Sequence, residues 1–113
     1  MAARDDHVRT LLAARIDAAR TRLLDSLPER TEELAALVET AAGDDAAAQA
    51  ARDALRMALH NLAGSAPTVG LAVLGARARD LEATLVAAPT GPLTAEFAQR
   101  LRRDLRALAS VAS

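Results

Sequence analysis

The chain of 113 residues has no cysteine, no tryptophan, no tyrosine and no lysine, one phenylalanine (Phe97) and two histidines. Without cysteine there is no disulfide framework and no thiol chemistry. With only His7 and His60 as nitrogen ligands, a structural zinc site is excluded, and no Glu-x-x-His pair offers a carboxylate-bridged metal centre. No glycine-rich loop follows a strand pattern, so no nucleotide site is visible. Strand periodicity and internal repeats are also missing. No apolar run approaches the roughly 20 residues that a membrane span needs, and there is no signal-peptide core, so the expected location is the cytoplasm, with no membrane partner. Charge of one sign is lacking as well: 14 basic against 15 acidic residues give a net charge of −1. That balance leaves no basic footprint for nucleic acid, and the Arg100, Arg102, Arg103 and Arg106 cluster reads as a solvated helix face. Aromatic residues make up 1% of the chain, so any core must be built from leucine, valine and alanine.

What is present is helical. The length fits one domain, 1–113, able to bury roughly 60–70% of its unfolded surface. Met1–Arg4 are expected to fray. Asp5 and Asp6 suit a helix N-terminus, and Val8, Leu12, Ile16, Ala19, Leu23 and Leu27 then recur at helical spacing, with Leu11 and Leu24 widening the stripe. Pro28 would ordinarily end a helix or begin one. The apolar phase nevertheless continues through Thr31, Leu34, Val38 and Ala41, which favours one kinked helix or two collinear ones. The part before Pro28 either extends that helix or forms a separate cap. Gly43-Asp44-Asp45 is a stop followed by an N-cap. A helix from about Asp45 to Ser65 follows, with Pro67 expected to end it at Ala66. Leu71, Leu74, Ala78, Leu81 and Leu85 define the next helix, to about Ala87. Ala88-Pro89-Thr90-Gly91-Pro92 is the clearest loop. Thr94 caps a last helix with Phe97, Leu101, Leu105, Leu108 and Val111 on one side. Short connections between long amphipathic helices predict an all-α, antiparallel up-down four-helix bundle with an extended or kinked N-terminal helix.

The stretch Ala58-Leu59-His60-Asn61-Leu62-Ala63-Gly64-Ser65-Ala66 carries the chemistry. Wound as a helix, it puts Leu55, Leu59, Leu62 and Ala66 on one apolar stripe and points His60 elsewhere. The neighbours of His60 three and four positions away are Arg56, Met57, Ala63 and Gly64. An interior glycine costs about 1 kcal/mol relative to alanine, so Gly64 either leaves clearance beside the imidazole or serves as a C-cap ahead of Pro67. Ser65 has no histidine arranged as its base and reads as a polar helix end, bonding back to a carbonyl. His7, near the start of the first helix, reads as a surface residue.

His60-x-Leu62-x-Gly64-Ser65, then Gly70, Leu74 and Leu81-Glu82, resembles the signature of histidine-containing phosphotransfer (HPt) domains, His-x-Leu-Lys-Gly-Ser/Ala followed by Gly, Leu and Leu-Glu. The likeness runs from about Asp53 to Glu82; Leu27-Pro28-Glu29-Arg30 and Leu34-x-x-Leu37 also look like the helix that precedes it in the family. It implies a phosphoryl carrier of bacterial two-component phosphorelays, with no kinase or hydrolase activity of its own. His60 would be the phosphoacceptor, exchanging phosphate with a histidine kinase or a response-regulator receiver domain. The chain would need no cofactor, because the receiver supplies the aspartate, its lysine and the magnesium ion. Arg56, Ala63 and Gly64 would neighbour the phosphate, and Met57, Ala63 and Gly64 would form the docking surface. The chain departs from the pattern at Ala63, where the family places its lysine, and Arg56 is the cation one turn away. That departure keeps a second reading open, a degenerate bundle of the same fold that binds a partner without carrying phosphate. The long first helix, with Leu11, Leu23 and Leu24, offers a surface for a homodimer under either reading.

Overall fold

The computed structural model describes residues 2–111, and all regular structure among them is helical: α1 (Ala2–Ala41), α2 (Ala46–Thr68), α3 (Ala72–Val86), α4 (Ala95–Ala107) and a closing 3-10 turn, Leu108–Ser110. The helix starts are set by the side chains the sequence offers. Asp45 accepts a hydrogen bond from the Ala48 amide at 2.8 Å, and the Thr94 hydroxyl accepts one from the Phe97 amide at 3.1 Å. Each satisfies one of the four amides that a helix start leaves unpaired.

Pro28 lies inside α1 without ending it. The Thr31 hydroxyl, the one buried polar side chain among the described residues, donates to the Pro28 carbonyl at 3.1 Å. α1 is already helical at Ala2; of the residues expected to fray, Met1 lies outside the described residues.

The expected end of α2 at Ala66 is corrected. The helix continues through Pro67 to Thr68. Proline removes only the amide that would reach the Ala63 carbonyl, and its ring is held against α3 by the absence of a side chain at Gly75. A Cβ there would lie 2.7 and 2.8 Å from the Pro67 Cγ and Cδ. The helix then closes with paired bonds from Leu71 to the Ala66 carbonyl (2.9 Å) and from Gly70 to the Pro67 carbonyl (3.1 Å). This is the Schellman arrangement, which needs a left-handed residue, and Gly70 supplies it with φ +85°.

Consecutive helices run antiparallel. The Arg20 Nε of α1 reaches the Val69 carbonyl at 2.7 Å while Arg52 of α2 reaches the Ala41 carbonyl at 2.8 Å. Arg106 of α4 pairs with Glu32 of α1 at 2.9 Å, and the Leu93 amide bonds the Ala42 carbonyl. Arg52 also donates to the Gly43 and Gly91 carbonyls, tying the α1–α2 and α3–α4 connections together. The core between the helices is leucine and alanine with Val38: Leu27, Leu55, Leu59, Leu74, Leu101 and Leu105 are among its buried members. Each fully buried leucine contributes about 1.5–3 kcal/mol. The molecule measures 61 × 20 × 19 Å, because α1 alone, at 40 residues, spans about 60 Å. Its first half therefore projects beyond the bundle as an arm, and Val8, Leu11, Leu12 and Ile16 on it are exposed. Of the two arrangements open for this segment, it extends the first helix.

Candidate functional site

His60 sits in the middle of α2, well away from either end. Leu55, Leu59 and Leu62 are buried beneath it, and its own side chain is 68% exposed. The phase separation read from the sequence thus holds in three dimensions. Gly64 is interior to α2 and is not its cap; a Cβ placed there would have nothing within 4 Å. The space beside the imidazole is open.

Across the seam, Glu82 of α3 brings its Oε2 to 3.0 Å from His60 Nδ1. A carboxylate only accepts, so Nδ1 carries the proton and donates it. The contact orients the ring, and with Nδ1 as the donor the lone pair falls on Nε2. Glu82 is only 19% exposed, so the acceptor is half sheltered while the ring is not. This is the same logic by which a buried carboxylate orients a catalytic histidine. Glu82 was legible only as half of the Leu81-Glu82 pair in the family pattern. The phase of α3 gives a signal in hindsight: Gly75 and Glu82 are two turns apart on one face, and that face meets α2.

Arg56, Met57 and Gly64 are exposed on the same side of α2 as His60. Ala63 is not. It is 5% exposed and belongs to the core cluster, so its place in the expected docking surface is corrected. It follows Leu59 by four residues, which turns it inward to the α2–α3 seam, where its carbonyl would lie 3.2 Å from a Cβ on Gly75. His7 is exposed on the projecting arm. Ser65 is exposed, and its carbonyl accepts from the Thr68 hydroxyl at 2.6 Å; the backbond at this helix end comes from Thr68. No cluster of three or more histidine, aspartate or glutamate side chains that would hold a metal occurs among the described residues.

A family model, the Hpt domain, matches residues 18–111. The chain belongs to the Hpt domain family. No curated protein and no solved structure matches it. Hpt domains are the histidine phosphotransfer modules of phosphorelays, carriers that are generally not enzymes. The match begins at residue 18, so it covers the bundle and leaves most of the projecting arm outside. In this Hpt domain an exposed imidazole, oriented from behind by Glu82 and bordered by a bare glycine, forms the centre of the α2–α3 face.

Proposed function

We propose that this Hpt domain carries a phosphoryl group on Nε2 of His60, taking it from a histidine kinase or a receiver aspartate and passing it to a receiver. The observation that carries the reading is the 3.0 Å contact from Nδ1 to Glu82 beneath an otherwise exposed ring. In the step from a receiver, the Nε2 lone pair attacks phosphorus, the bond from phosphorus to the aspartyl oxygen breaks, and the carboxylate leaves with the electron pair. The ring gains positive charge as the N–P bond forms, and Nδ1–H···Glu82 offsets it without moving a proton. The reverse step uses the same geometry. Phosphoryl transfer rests on positioning and charge neutralisation, and here the receiver brings its own magnesium ion and lysine. Arg56, Met57 and Gly64 border His60 as the docking surface, at a cytoplasmic location. A homodimer would use the apolar stripe of the arm.

Incubation with receiver domains charged by acetyl phosphate tests the reading. We expect acid-labile, base-stable label on the wild type, none on His60→Gln with its helical fold intact, and full label on His7→Gln. The missing motif lysine favours the alternative, a binding module that carries no phosphate. An unlabelled wild type across several receivers would overturn the carrier reading and favour that alternative.

A further inference from the structure

The register of the α2–α3 seam brings a second arginine, not the one expected from the sequence, opposite the turn of α2 that follows His60. Two contacts define that register: His60 to Glu82, and the Pro67 ring against Gly75. Both pairs are seven residues apart on each helix, so the antiparallel helices stay in step between them. Three residues beyond His60 on α2 is Ala63, and three residues before Glu82 on α3 is Arg79. Arg79 therefore lies opposite the position where the family has its lysine. It shares a face of α3 with Gly75, Glu82 and Val86, which follow one another at helical spacing, and the first two of these touch α2.

Three further observations fit a phosphate-neutralising role. Arg79 is exposed, and among the described residues it makes no ion pair, unlike Arg20, Arg100 and Arg106. Gly64 leaves the space after His60 on α2 open, with nothing within 4 Å of a Cβ placed there. Ala63, buried in the seam, offers no group that competes for the space. Arg56 sits on the other side of His60, toward Val86, so the two arginines flank the ring from opposite ends.

We propose that Arg79 neutralises the phosphoryl group on His60, standing across the helix seam in the place of the absent lysine. The inference rests on the phosphocarrier reading above. A guanidinium suits the task because its planar fork donates two parallel bonds to the oxygens of a phosphate.

The test is the phosphate partition between His60 and one charged receiver, together with the phosphorus-31 shift titration of the protein phosphorylated by phosphoramidate. A neighbouring cation holds the phosphoryl group dianionic to lower pH. Arg79→Ala should move the partition toward the receiver by about tenfold, the scale of a unit cation several ångströms from a dianion near a surface, and should raise the titration midpoint. Arg79→Lys should stay close to wild type, and Ala63→Lys in the Arg79→Ala background should restore the partition. A partition and midpoint unmoved by Arg79→Ala, or moved instead by Arg56→Ala, would overturn the proposal while leaving His60 as carrier. Failure of the wild type to take phosphate from either donor would overturn both.

Discussion

Glu82 and Gly64 make opposite demands on the residues around His60, and each can be tested alone. Glu82 holds the ring by a charge-assisted bond, the stronger kind, though a partly exposed one. Glu82→Ala frees the imidazole to rotate and to take either tautomer, and transfer from a charged receiver should slow by roughly tenfold, the rate equivalent of about 1.4 kcal/mol. Glu82→Gln retains an acceptor without the charge and should fall between the two; a rate equal to wild type in both variants would remove Glu82 from the site. Gly64→Ala should act on stability and function in opposite directions. Nothing lies within 4 Å of the added methyl group, and helix propensity favours alanine by about 1 kcal/mol, so chemical denaturation should show a more stable protein. Transfer should nevertheless be slower, because the methyl group stands beside His60 where the receiver approaches. At this scale the sequence showed His60 and Gly64 through their phase against the leucines. It hid the burial of Ala63 behind the family pattern, although the four-residue step from Leu59 already turned that position inward. Glu82 could not be placed beside His60 at all, nor Arg79 opposite Ala63, because the register between two helices is not a local property of either.

Among the elements, the α2–α3 pair depends on a close approach that two residues make together. Gly75→Ala would put a Cβ 2.7–2.8 Å from the Pro67 ring, so the helices must separate or the ring must shift. Overpacking of this kind costs about 1–3 kcal/mol, read as a lower denaturation midpoint with little change in slope. Pro67→Ala removes the ring atoms in conflict, and the double variant should recover most of the loss; equal losses in single and double variants would mean that the clash is not the cause. Because Glu82 is two turns from Gly75 on the same face, the Gly75→Ala protein should also transfer phosphate more slowly than its stability alone predicts. The pair also explains which helix ends were legible. Asp45 and Thr94 announce their helices because a cap is a contact within three residues. Pro67 announces a stop that does not happen, since what permits the continuation is a missing side chain on a different helix. Pro28 announces no stop, because the apolar phase on its two sides agrees and α1 runs through it.

On the scale of the whole molecule, the bundle and the arm of α1 are held by different forces. From Leu27 onward one face of α1 is buried against α2 and α4, whereas residues 3–18 are exposed throughout. Their apolar stripe, read from sequence as a continuation of the core face, has no neighbour among the described residues. The Arg20 contacts to Val69 and Asp17 mark where the arm meets the bundle. A protein beginning at residue 18 should therefore lose helical signal but little stability, with a melting shift below about 4 °C, the scale of 1 kcal/mol or less in a domain of this size. Its acceptance of phosphate on His60 should be unchanged. A large melting shift would show that the arm supports the bundle in a way the structure does not contain. A lone helix of this length is marginal in water, so amide protons of residues 3–16 should exchange quickly in dilute solution. Should a second copy cover Val8, Leu11, Leu12 and Ile16, that exchange must slow as protein concentration rises, and the dependence must vanish with Leu12→Glu and Ile16→Glu together. Exchange that stays fast at every concentration would rule out the homodimer and leave the arm for another partner.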